Sequence, residues 1–138
     1  MRFATCSFPE FRPEMGIPVR SSRGFPRYKL RYPLVHKMPS TFPARHWLDL
    51  DYDEFDQLYR QHVRANLNLI LSEADQVRHA AADHDSPLVL LCFEQLHRPG
   101  QWCHRRILAH ALEELTGELI VEHGRVQESA PEPPPMLF

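Results

Sequence analysis

Cys92, Glu94, Cys103, His104 and Arg105 fall within one short stretch of the chain, and their types suit three kinds of chemistry. A cysteine at a helix start, beside a histidine and an arginine, can ionise near neutral pH and act as a nucleophile. Cys103 has that setting, with His104 and Arg105 following it. Glu94 can serve as general base or orient an arginine. Arg105 can clamp a phosphate or carboxylate with paired hydrogen bonds, on a helix N-terminus that already favours anions. The third chemistry is a metal site, since zinc accepts three cysteines and a histidine. Cys6, Cys92, Cys103 and His104 would be the donors, but ten residues separate Cys92 from Cys103 and no close pair exists. Such spacing fits no usual zinc knuckle, so neither a metal nor a cofactor is expected. Taken singly, Cys92 reads as a small core residue, Glu94 and Arg105 as an ion pair, and His104 as a helix cap. Taken together at one junction, they point to a ligand site.

The elements that must position these residues are a strand and a helix. Leu88-Val89-Leu90-Leu91-Cys92-Phe93 is apolar at every position, so both faces should be covered, as at the centre of a mostly parallel sheet with helices on both sides. Ile107, Leu108, Ala111, Leu112 and Leu115 recur at helical spacing and predict a helix over 103–116, ended by Gly117. Pro99-Gly100 breaks the chain between the two. Ligands of open α/β sheets gather where strands end and helices begin. Further strands are expected at 2–7 and 119–122, and helices at 53–66 and 68–84, the first capped by Asp51 or Asp53. Ser7 ends the first of those strands and joins the ligand-binding candidates.

Residues 9–47 carry prolines at 9, 13, 18, 26, 33, 39 and 43, which few helices survive. Ile17 to Ser21 and Tyr28 to Tyr32 read as short extended pieces in this long loop. Arg20, Arg23, Arg27, Lys29 and Arg31 interleave there with Phe25, Tyr28 and Tyr32. That mixture suits phosphate pairing and base stacking, but with no nucleic-acid motif matched the favoured reading is an irregular cover whose aromatics are core and whose arginines are solvated. Arg20 and Arg23 are the loop's ligand-binding candidates. Charge is uneven: residues 1–47 hold nine Lys/Arg against two acids, and the remainder seven Arg against sixteen acids. An anionic ligand near the basic third, or mutual neutralisation of the halves, would account for it.

At the junction the chain resembles the domain-of-unknown-function 488 family, whose mark is an apolar strand ending Leu-Leu-Cys-x-Glu, a loop, and Cys-His-Arg opening a helix. Leu90-Leu91-Cys92-Phe93-Glu94 and Cys103-His104-Arg105 carry it, with Thr5-Cys6-Ser7 and the segment from Pro18 to Pro26. The resemblance spans about residues 1–123 and implies a small α/β domain without a settled reaction.

The expected architecture is an α/β three-layer sandwich with a short, mainly parallel central sheet and a long proline-rich N-terminal loop. One domain is expected over 1–123, followed by a flexible proline-rich tail over 124–138. No apolar run reaches membrane-spanning length, the N-terminus lacks a signal-peptide pattern, and three cysteines suit thiols more than a disulfide framework, so a cytoplasmic place is expected. The expected function is binding or acting on a phosphate-bearing ligand, a nucleotide or nucleic acid, with Cys103, Glu94 and His104 in catalytic roles and Arg105, Arg20, Arg23 and Ser7 on the ligand. Cys92 is expected to be packing. The alternative is a non-catalytic protein that binds a partner through its basic loop or tail.

Overall fold

The wholly apolar strand occupies the middle of the sheet. In the computed structural model, which describes residues 2–93 and 103–124, five strands run parallel. They are β1 (Phe3–Ser7), β2 (Ile17–Arg20), β3 (His36–Lys37), β4 (Leu88–Cys92) and β5 (Val121–Glu122), in the spatial order β3-β2-β4-β1-β5. Among the described residues the α-helices are α1 (Tyr52–Ala65), α2 (Leu67–Ala81) and α3 (His104–Thr116). Glu94, like residues 125–138 of the tail, lies outside the described residues.

Every residue of β4 is buried, as a strand covered on both faces requires. Side chains alternate along it. Leu88 and Leu90 join Phe3, Ile17 and Val19 in a core with the apolar stripes of all three helices. These stripes include Phe55, Tyr59 and Val63 of α1, Ile70, Ala74 and Val77 of α2, and Ile107, Leu108 and Leu112 of α3. Val89 and Leu91 face the other way, onto a second core with Ala4, Cys6, Phe8, Phe11 and Tyr32.

That second face corrects the expectation of helices on both sides. It is covered by the irregular proline-rich segment, with Met15, Leu30 and Leu34 packed on it. The reason is local: prolines at 9, 13, 26 and 33 interrupt the connections around β2, and only the later connections are free to coil. The three layers are helices, sheet and an ordered proline-rich cover. Ile17–Arg20 is a strand, as expected, whereas Tyr28–Tyr32 is not. Tyr32 instead donates its hydroxyl to Phe8 O at 2.6 Å, pinning the cover to the end of β1.

The helix ends follow the sequence signals. Asp51 caps α1 by accepting from Glu54 N at 2.9 Å, with Asp53 and Glu54 in the first turn. Gly117 closes α3 at φ +77°, where its N–H donates to Glu113 O at 2.8 Å. No described helix is long and apolar enough to cross a membrane.

Candidate functional site

The strand order places a switch point between β2 and β4. From β2 the chain moves outward to β3, and from β4 it moves the opposite way, across β1 to β5. Adjacent parallel strands whose connections diverge leave a crevice at their carboxyl ends, where ligands of open α/β sheets bind. A cavity of about 210 Å³ lies there. Ser22, Arg23 and Gly24 line it from the turn after β2, Phe93 from the end of β4, His104 from the start of α3, and Pro43 and Leu48 close it. A larger hollow of about 680 Å³, bordered by Glu10, Arg12, Arg31 and His123, lies against the second face and contains no thiol.

Arg20 shapes the turn beside the cavity. It is buried, and its Nη1 donates to Ser22 O at 2.8 Å and Arg23 O at 2.6 Å. Its guanidinium stacks on Phe25 and Phe42 with centroid distances of 4.3 and 5.2 Å. Burial pulls its pKa down, and its Nε has no hydrogen-bond partner among the described residues. Arg20 therefore organises the loop that carries Arg23. Arg23 itself is exposed on the cavity wall and donates from Nε to Pro43 O at 3.0 Å.

Cys92 and Cys103 meet at the base of this junction. Strand parity sends Cys92 to the helix side with Leu88 and Leu90, and the turn into α3 brings Cys103 to it as the N-cap residue. Their sulfurs are in bonded contact, with Cα atoms 7.2 Å apart. His104 Nδ1 lies 3.8 Å from Cys103 Sγ. Cys92, Cys103 and His104 are all buried, and their donor atoms lie within 4.8 Å of one another. The ten-residue gap that counts against a shared site in sequence is closed by the strand end and the helix start.

Two groups hold His104. Its Nε2 lies 2.8 Å from Ser21 O, and a carbonyl only accepts, so Nε2 carries the proton and Nδ1 presents a lone pair toward the sulfurs. Tyr59 meets its ring edge-on at 5.5 Å. Burial, with the neighbouring Arg105 charge, lowers its pKa to about 4 against the opposing bond to Ser21, so the ring is neutral.

Arg105 is not at the cavity. Its side chain is wholly buried and donates through Nε and Nη2 to the two oxygens of Glu122 at 3.0 and 3.1 Å. Its Nη1 donates to Cys92 Sγ at 3.3 Å. Glu122 accepts further from Thr5 Oγ1 at 2.7 Å and from Gly124 N at 2.8 Å. The arginine read as a ligand clamp thus ties α3 to β5 and touches the cysteine pair. Ser7 is buried and donates to Glu10 at 2.6 Å, away from the cavity lining. Cys92, read as packing, is a member of the cluster, while Cys6 is not. One residue along β1 from Ser7, Cys6 projects to the second face, where burial and then Glu122 and Glu10 push its thiol up to about 12.

The fold and the site define a parallel α/β protein with a switch-point crevice walled by one member of a buried two-cysteine, one-histidine cluster. Comparison with family models, curated proteins and solved structures finds no match for this chain.

Proposed function

We propose that the protein binds a small anionic ligand, of the size of a phosphate or a phosphomonoester, in the crevice between the ends of β2 and β4. The observation that carries this is the coincidence of the topological switch point with a cavity lined by both Arg23 and His104. Size narrows the ligand. A cavity of about 210 Å³ falls below the roughly 300–1,000 Å³ of sites that enclose drug-sized molecules. Arg23 supplies the charge that meets the anion, and Arg20 holds its loop. Behind His104, reduction of the bonded Cys92–Cys103 pair would free Cys103 at a helix start that favours its thiolate.

Titration of the full chain with orthophosphate and with a phosphomonoester, followed by calorimetry and thermal stability, tests this. Binding should saturate at one site, and Arg23→Ala should weaken it about tenfold or more, as loss of a charge-assisted hydrogen bond does. Absence of saturable binding, or identical binding by Arg23→Ala, refutes it.

A second reading, partner binding through the basic loop, draws on the exposure of Phe25 (55%) and Tyr28 (50%) beside Arg27, Lys29 and Arg31. It predicts steeply salt-dependent binding to a single-stranded polyanion, abolished when Arg27, Lys29 and Arg31 are replaced together.

A further inference from the structure

We infer that Cys92, Cys103 and His104, in the reduced protein, form a binding site for a thiophilic cation, zinc in the first instance. The inference goes beyond the crevice reading and does not depend on it, since the three donors are set by β4 and α3 whatever fills the crevice.

The donor set is the one such an ion selects. Two thiolates and an imidazole suit zinc and copper(I) and discriminate against magnesium and calcium, which prefer oxygen. The histidine is already in the required tautomer. A metal-binding imidazole commonly donates its second N–H to a carbonyl or carboxylate, which aims the free lone pair at the ion. His104 does this through Nε2 to Ser21 O, and its Nδ1 stands 3.8 Å from Cys103 Sγ. That separation is close to the roughly 3.5 Å edge expected between a sulfur and a nitrogen held at about 2.3 and 2.0 Å from one tetrahedral zinc.

The backbone span agrees. Cα atoms of disulfide-bonded cysteines usually lie about 4.4–6.8 Å apart. Those of Cys92 and Cys103 lie 7.2 Å apart. An ion shared by two sulfurs sets them about 3.8 Å from each other and so accommodates a wider span. The outer contacts are also suited to thiolates: Arg105 Nη1 donates to Cys92 Sγ at 3.3 Å, and its own charge is met by Glu122. Two thiolates, a divalent ion and a neutral imidazole sum to zero charge, which a buried site requires. Three protein donors leave a fourth position, the arrangement of catalytic rather than structural zinc sites, and His104 also lines the crevice cavity.

Reaching this state from the bonded pair takes two electrons and two protons from a dithiol, which departs as its own cyclic disulfide. Zinc entry then releases the two thiol protons.

The test uses the full chain, reduced with a dithiol and freed of it without oxygen. Zinc is titrated in competition with a chromophoric chelator, and cobalt(II) is added to a parallel sample. The expected results are one equivalent of zinc, cobalt spectra with thiolate-to-metal charge transfer and intense tetrahedral visible bands, and zinc protection of Cys92 and Cys103 from alkylation mapped by mass spectrometry. Cys92→Ser and Cys103→Ser should each weaken uptake by at least about 100-fold, while Cys6→Ser keeps full stoichiometry. The alkylation map needs no variant, so a Cys→Ser protein that fails to fold leaves the question decidable. A reduced wild-type protein that takes up no zinc, a cobalt complex without charge-transfer bands, or alkylation of Cys92 and Cys103 undiminished by zinc overturns the inference. Loss of phosphate binding with zinc uptake intact would overturn only the crevice reading.

Discussion

Replacing Arg105 by alanine should destabilise the protein by about 3–5 kcal/mol, the cost of breaking a buried ion pair by removing one partner. The geometry places this pair in the expensive class. The arginine side chain is 0% exposed and the Glu122 side chain 6%, and two parallel bonds of 3.0 and 3.1 Å join them. After the substitution Glu122 keeps Thr5 and Gly124 as donors and the partly exposed Arg106 guanidinium 3.9 Å from its Oε1, but loses its buried, hydrogen-bonded countercharge. β5 has only two residues, paired to β1 through Ala4 and Thr5, so its tie to α3 should loosen as well. Domains of this kind have about 5–15 kcal/mol in total, so the loss is a large share of it. Urea unfolding should show the midpoint falling by roughly 1.5–2.5 M, for a slope near 2 kcal/mol/M. The double variant Arg105→Met/Glu122→Gln should recover most of the loss, because the penalty is the stranded charge rather than a missing attraction. An Arg105→Ala protein within about 1 kcal/mol of the parent, or a double variant no better than the single one, would refute the assignment.

Tyr59→Phe should cost about 1–3 kcal/mol, measured by the same unfolding assay, since the buried hydroxyl donates to Thr41 O, which is left without it. Gly16→Ala should cost about 2 kcal/mol or more: Gly16 has φ +143°, and a Cβ there would run into the carbonyl oxygen of Pro87 and crowd Val89. Cys6 should resist alkylation in the native protein up to mildly alkaline pH and react on unfolding, because its pKa lies near 12 and it is fully buried; ready native labelling at pH 8 would contradict this. Glu118 has a depressed folded pKa, chiefly from its hydrogen bond to Arg2, so it contributes stability above the unfolded carboxylate pKa that is lost as pH falls through the folded value. Glu118→Gln should slightly flatten the decline in stability below about pH 5, seen as a smaller drop in Tm. The effect is small because both partners are well exposed.

The α/β class and the central strand were legible in sequence because each rests on a local pattern. An apolar run without alternation requires cover on two faces, and β4 is indeed buried throughout. Apolar residues at helical spacing, with Asp51 before α1 and Gly117 after α3, marked two helices to within a residue or so. Sequence also singled out the β4–α3 junction, since strand ends and helix starts can be located one element at a time. It could not determine which face each side chain of the junction takes or what stands opposite. Cys6 and Cys92 look alike as thiols near strand ends, yet the register sets Cys6 beside Leu91 and Ser7 beside Cys92, so the two cysteines project to opposite faces. Arg105 looks like a ligand clamp until the fold brings Glu122, from seventeen residues later, against it in the interior. Residues 28–32 look extended, but the tertiary contact of Tyr32 with Phe8 makes them part of a cover. The switch point itself depends on β4 inserting between β2 and β1, a pairing of distant segments that no local pattern encodes. Local propensity and periodicity are carried by neighbouring residues and can be read from them. Facing, pairing and burial of charge arise from long-range packing, and only the folded chain decides them.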